Sequence, residues 1–381
     1  MMSLIRQSTT FDKKLLDRDA LKIVKKLNKS GYEAYLVGGC IRDLLLGHKP
    51  KDFDIASNAT PEQIQNLFKR SRIIGRRFKI VHIIFSARKF IEVATFRSGK
   101  HNKTSTKGMV LRDNYYGSLK DDVFRRDFTI NGLYFDIKSS QVIDYVGGLE
   151  DLKTLKINMI GNPSERFEED PVRMIRAVRF KVKLNATIDP KVYRSIIKNS
   201  HLLSNVPPAR LYEEVIKLFH NENSLEVFRE LSKLGILKYL FSQTQEDSFI
   251  IASLVNTSER IKNGSSITPA FLFAVFLWSA QNKRLNEIKK KNMSRVELVI
   301  MSSEDVIKKQ VQQVMMPRWL SGRVKDIWLM QYHLENYNPK KSKELISNPR
   351  FRMAYDFFVL RSQSIDKQLK AKAEYWTNIQ K

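Results

Sequence analysis

The chain has 381 residues, with 67 Lys+Arg against 40 Asp+Glu, a formal net charge of +27 and a pI near 9.9. That length suggests two or three domains with a sizeable core, and the charge points to a polyanionic partner, RNA or DNA ahead of an anionic membrane surface. The single cysteine, Cys40, excludes an intramolecular disulfide framework and a cysteine-cluster zinc site, and suits a reducing compartment.

The N-terminus, MMSLIRQSTTFDKK, has no apolar core of signal-peptide type. The longest apolar run, residues 270–278, falls far short of the ~20 residues a membrane span needs and reads as a buried helix. The expectation is a soluble, cytoplasmic protein. A short helix is expected over residues 19–28, ahead of a turn at Gly31, and strands over 32–37, 52–56, 79–85 and 90–96. Between the second and third strands, Thr60-Pro61-Glu62 announces a helix, with Thr60 as its cap and Pro61 in its first turn. Together these predict a compact α/β head with a small mixed sheet. Residues 98–116, polar and Lys-rich, read as a mobile loop, either solvated or in contact with RNA or substrate.

Within the head, the apolar run into Gly38-Gly39 reads as a strand ending in a turn, and residues 41–46 have helical spacing. Paired glycines let a phosphate approach the backbone, and Arg42 in the following turn can fork onto phosphate oxygens. Next comes Lys51-Asp52-Phe53-Asp54-Ile55. On a strand, Asp52 and Asp54 project from one face while Phe53 and Ile55 turn into a core, and such a pair can hold Mg²⁺. An isolated Asp-x-Asp is more often a surface turn; the glycine-arginine approach makes the combination specific. Here the chain resembles the nucleotidyltransferase superfamily, in particular its bacterial class II branch of tRNA CCA-adding enzymes and poly(A) polymerases. The resemblance implies that Asp52 and Asp54 carry catalytic Mg²⁺ (or Mn²⁺), that Gly38, Gly39 and Arg42 contact nucleotide, and that no haem or flavin is needed.

Gly75-Arg76-Arg77-Phe78 mixes cations with an aromatic, suited to RNA through Arg76 and Arg77 or to a plain charged edge. It is similar to the poly(A) polymerase branch rather than its CCA-adding relatives. Glu92, a polar residue in a strand pattern, is either an exposed alternation position or a further acid near the metals. Arg125-Arg126-Asp127-Phe128-Thr129-Ile130-Asn131 resembles the family's RRDFTIN signature. The resemblance implies Asp127 as third carboxylate and Arg126 and Asn131 at the nucleotide. Three carboxylates around two Mg²⁺ suit in-line attack by an RNA 3′-hydroxyl with pyrophosphate leaving. Residues 144–152 read as a strand, a glycine turn and a helix start, marking the head's exit.

In residues 166–180, RFEEDPVRMIRAVRF, Glu169, Arg173, Arg176 and Phe180 share one helical face. A helix with self-compensating pairs is the plain reading. The string is similar to the family's EDxxR motif, which implies that Asp170, Arg173 and Arg176 read the incoming base without a template. Beyond residue 181 no β pattern survives, and Gly264 marks a break. PPARLYEE, TPAFLFAVFLW and FRMAYDFFVLR resemble the poly(A) branch, so the resemblance covers nearly the whole chain. Basic residues interleaved with Trp319 and Trp328, Arg323 and Lys325 among them, suit an RNA backbone. Many relatives continue into a long basic tail, and the stop at Lys381 implies a weaker grip.

The expectation is therefore an α+β protein: a nucleotidyltransferase head (1–152), a helical neck with the nucleotide-selecting motif (153–240) and an all-helical body and tail that bind RNA (241–381). It should add AMP from ATP to RNA 3′ ends. The alternatives are CCA addition to tRNA, against which GRRF and the helical match argue, and a catalytically idle RNA-binding scaffold, against which the intact aspartates argue.

Overall fold

The computed structural model describes residues 4–8, 11–75, 79–98, 103–104, 110–112, 116–265, 267–288 and 293–380. The chain folds as two compact units, Met1–Asn199 and Ser200–Lys381. The first unit contains the strands β1 (Ile5–Ser8), β2 (Ala34–Val37), β3 (Asp54–Ser57), β4 (Ser71–Ile74), β5 (Ile80–Ser86), β6 (Lys89–Thr95), β7 (Lys103–Thr104), β8 (Val110–Arg112), β9 (Tyr134–Asp136), β10 (Gln141–Asp144), β11 (Lys156–Ile157) and β12 (Thr187–Ile188). Its helices are α1 (Arg18–Lys29), α2 (Gly39–Leu45), α3 (Pro61–Leu67), α4 (Leu119–Phe124), α5 (Gly148–Lys153), α6 (Pro163–Glu169), α7 (Val172–Leu184) and α8 (Pro190–Asn199).

Eight strands form one mixed sheet in the order β1-β10-β9-β2-β3-β6-β5-β4. Every neighbouring pair is antiparallel except β3 and β6, which run parallel with Asp54 beside Glu92. The four expected strands are present, with ends shifted by one or two residues. The sheet is larger than the small one expected, with β1, β4 and β9 added to the strands that the sequence pattern marked. Two further expectations are corrected. In residues 98–116 the described β7 and β8 pair antiparallel rather than lying as plain loop. Beyond residue 181, β12 still pairs with β11.

Local chemistry explains the elements around the site. Asp17 caps α1 by accepting from the N–H groups of Asp19 and Ala20, and Thr60 closes a reciprocal capping box with Gln63 ahead of α3. Val37, Ala56, Phe96, Tyr134 and Ile143 form the core beneath β2 and β3, so the strand ends above it present their polar residues from a rigid base.

Among the described residues the second unit is helical throughout, with α9 (Pro208–Phe219), α10 (Ser224–Lys233), α11 (Leu237–Leu240), α12 (Ser248–Lys262), α13 (Pro269–Phe276), α14 (Trp278–Glu287), α15 (Arg295–Gln313), α16 (Arg318–Glu335), α17 (Ser342–Ile346), α18 (Phe351–Ser364) and α19 (Lys370–Asn378). Residues 270–276 of α13 are all buried, as expected of the longest apolar run. Gly264 is a turn with positive φ between α12 and α13 rather than a boundary between units. No helix among the described residues is long and apolar enough to cross a membrane.

Candidate active site

The parallel β3–β6 pair builds the acidic centre. Residues directly paired on neighbouring strands share a face, so Asp54, Glu92 and His82 form a row across β3, β6 and β5. The imidazole Nε2 of His82 lies 3.1 Å from a Glu92 carboxylate oxygen, and its ring stacks on Phe90 at 4.3 Å. Asp52 is exposed and lies just before β3 rather than within it. Asp54 is open to solvent yet crowded by protein. Burial, the Glu92 charge and the Asp52 charge push its carboxyl up to about 6, against the opposing pull of Arg126. A carboxyl raised by burial and by neighbouring carboxylates is typical of functional sites.

Asp127 is held by its own set of donors. Its carboxylate accepts from Nε of Arg176 at 2.6 Å, from the Phe128 N–H at 2.8 Å and from the Asn131 side-chain amide at 3.2 Å. Burial alone would raise this carboxyl, but Arg176 and those donors hold it down at about 2. Asp127 therefore sits in an arginine clasp, its carboxylate supplied with protein donors. Among the described residues, no group of three or more His, Cys, Asp or Glu side chains is arranged to hold a metal ion.

Arg42 is also turned inward. It is buried, donates twice to Asp43 and once to Asn131 at 2.7 to 2.8 Å, and lies 5.1 Å from the Phe180 ring. Three of its five N–H donors go to protein, and it links Asp43 to Asn131. The result is a chain of contacts, Asp43–Arg42–Asn131–Asp127–Arg176, closed over Phe180 by Arg42 and Arg176. Gly38 caps α2 with φ +76, a conformation costly for other residues. A Cβ there would meet Arg126 Nη1 at 3.3 Å, whereas one on Gly39 would make only ordinary contact. Arg126 itself donates to the Tyr134 hydroxyl and to Asp122, and its guanidinium lies 4.9 Å from the Tyr134 ring.

The expected single helix over residues 166–180 is two. Asp170 ends α6, and Pro171 precedes α7. The expected face survives the break because Glu169 accepts from both Arg166 and Arg173. Arg173 also donates to the Arg166 carbonyl at 2.7 Å, and Arg166 donates to the carbonyls of Arg125 and Arg126. Burial and the neighbouring Arg173 charge pull Arg166 down to about 10. The EDxxR segment is thereby tied to the RRD turn, and Asp170 caps the N–H of Val172.

Residues 34–158 match the description "Poly A polymerase head domain", 185–247 "Probable RNA and SrmB- binding site of polymerase A", and 291–381 "Polymerase A arginine-rich C-terminus". Poly(A) polymerase I of Salmonella typhi is 39% identical over 395 residues, spanning 98% of this chain and 85% of that protein. The chain belongs to the poly(A) polymerase family. A CCA-adding enzyme of Ligilactobacillus salivarius, 37% identical, matches over only 58% of the chain and 54% of its own length. The crystal structure of the Bacillus stearothermophilus CCA-adding enzyme in complex with CTP shares the fold at TM-score 0.64 and 23% identity, covering 95% of this chain and 82% of that one.

In this poly(A) polymerase family member, sequence reasoning located the aspartate pair, the RRD turn and the EDxxR segment, and left Glu92 ambiguous. It missed Asp122 and Tyr134 as the groups that hold Arg126, and it placed Phe180 beside Arg176 but not beside Arg42. Asp122 lies four residues before Arg126, a spacing that signals a pair, whereas Tyr134 carries no such local sign. Arg76 and Arg77 lie outside the described residues. Arg323 and Lys325 lie on α16 in the helical unit, where Lys325 pairs with Glu304 at 2.8 Å.

Proposed function

We propose that the protein adds AMP from ATP to RNA 3′ ends without a template, in the cytoplasm. The observation that carries the choice of poly(A) over CCA addition is the extent of similarity: it spans 98% of the chain for the poly(A) polymerase and 58% for the CCA-adding enzyme.

The donor set fits a divalent cation. Asp52 and Asp54 offer hard oxygen ligands, and the raised Asp54 carboxyl marks negative charge in want of a counter-ion. Mg²⁺ commonly takes one or two carboxylates and fills the rest of its shell with water and phosphate oxygens, so Asp52 and Asp54 would hold Mg²⁺ or Mn²⁺ beside ATP. When bound, the ions acidify the attacking 3′-hydroxyl and neutralise the leaving pyrophosphate. The other residues position. Asp122 and Tyr134 orient Arg126 beside Gly38, where a guanidinium suits a phosphate or sugar oxygen. Asp127 and Asn131 fix Arg176, and Glu169 fixes Arg173. Asp170, Arg173 and Arg176 then present a fixed polar edge to the adenine base, since a guanidinium held by carboxylates selects by geometry.

The test is direct: purified protein, Mg²⁺, each nucleoside triphosphate separately, and RNAs ending in A or in a tRNA lacking its CCA end. Long A tails from ATP alone are expected. Ordered addition of C, C and A followed by a stop would establish the CCA-adding reading instead.

A further inference from the structure

The helical unit contains a cleft of about 610 Å³ bounded by α12, α16, α18 and the segment leading into α13. Its floor is apolar, with Phe271 and Met353, and its walls carry four arginines against two aspartates. Three of those arginines have carboxylate partners, two of them sharing one: Arg260 and Arg352 pair with Asp356 at 2.7 and 3.2 Å, and Arg350 pairs with Asp326 at 2.9 Å. Arg323 has no carboxylate partner among the described residues; its guanidinium lies 5.4 Å from the ring of Trp319, within cation–π range. Trp319 lines the same cleft and is 49% exposed, whereas Trp278, Trp328 and Trp376 are buried. An exposed indole with a guanidinium beside it offers a stacking face and a phosphate donor together, the pairing that a stacked base and its phosphate satisfy.

A second observation comes from Gly322. It lies inside α16, where glycine costs roughly 1 kcal/mol relative to alanine. A Cβ there would meet nothing within 4 Å, so packing does not require the glycine. What the missing side chain leaves is room in the cleft beside Trp319.

We propose that this cleft receives one unstacked base of single-stranded RNA, laid on Trp319, with the adjoining phosphate on Arg323. The proposal rests on the RNA-directed reading above. The base is held between the indole and the apolar floor. The side-chain amide of Asn256, which has no hydrogen-bond partner among the described residues, lines the wall where a base edge arrives. Stacking tolerates any base, so this site grips the strand rather than choosing its sequence.

Trp319 is the exposed tryptophan, so intrinsic fluorescence of the full chain reports on it. Titration with a decamer of riboadenylate should quench the emission, and inorganic polyphosphate, which has charge but no bases, should not. Trp319→Ala should abolish most of the quench. Gly322→Leu should also abolish it while the melting temperature holds or rises, because the added side chain fills the cleft and improves the helix. Both variants should raise the KM for RNA roughly fivefold to a hundredfold, the range set by one lost stacking contact, with the KM for ATP unchanged. Equal quenching by polyphosphate, quenching by an acidic peptide but not by RNA, or an unchanged KM for RNA in both variants that still transfer AMP would overturn the inference alone. Absence of AMP transfer by the unmodified protein would instead overturn the proposed function.

Discussion

Asp54 and Asp127 titrate in opposite directions, and the two shifts make opposite demands on the fold. Asp54 is raised from its ordinary 3.8 to about 6. Between those values the folded chain holds a proton that the unfolded chain has released, so this group's contribution to stability falls as pH rises through the window. In metal-free protein at pH 7, Asp54→Asn should therefore raise the melting temperature slightly, solvent screening keeping the gain small, and at pH 3.5 the gain should vanish. The same change should abolish AMP transfer. Asp127 is lowered from 3.8 to about 2; its contribution is present above 3.8 and is lost as pH falls through about 2. Asp127→Asn should cost about 2–3 kcal/mol at pH 7, the free-energy equivalent of that shift, and urea titration measures it. A destabilising Asp54→Asn would show that the acidic row is not under charge strain. The two aspartates were legible as motif residues, but their opposite environments were not. Those depend on Glu92 at Asp54, across a strand pair, and on Arg176 at Asp127, 49 residues away, and a single sequence carries no record of such pairings.

At the scale of elements, what could be read was what lies within one run of residues. Residues 270–278 announced a buried helix, and α13 is that helix. The four longer strand patterns appeared where expected, whereas β9, at three residues, drew its strand conformation from neighbours on both sides. The proline between Asp170 and Arg173 marked a helix start, and α7 begins there, while the helical face continues across it because Glu169 and Arg173 still meet. Burial of α13 has a measurable consequence. The Phe276 ring lies 5.0, 5.4 and 4.9 Å from those of Phe219, Phe228 and Phe241, so one side chain joins α9, α10 and the residue after α11. Phe276→Ala should open a cavity and cost about 3–5 kcal/mol, seen as a lower urea midpoint. A loss below 1 kcal/mol would mean that the cluster collapses around the gap.

For the whole molecule the governing quantity is the surplus of 27 positive charges. Total charge says that a polyanion is attracted; it does not say which cations meet phosphates, and that distinction depends on which are already neutralised by neighbours. Arg323 and Lys325 illustrate it. Both are basic residues on α16, two positions apart, and were indistinguishable as candidate RNA contacts in the sequence. In the structure Lys325 is paired with Glu304 at 2.8 Å, and Arg323 has no carboxylate partner among the described residues. Binding of single-stranded RNA releases counter-ions in proportion to the phosphates met, with the logarithm of affinity falling by about 0.7 per phosphate for each tenfold rise in salt. Affinity measured by filter binding from 50 to 400 mM KCl should therefore fall steeply for the unmodified chain. Arg323→Gln should lessen that slope by about 0.7, the value for one phosphate contact. Lys325→Gln should leave the slope nearly unchanged, because a lysine held by Glu304 is not among the cations that meet phosphates. If the two substitutions lessen the slope equally, the strand is held by diffuse charge, and local pairing does not decide which cations serve the RNA.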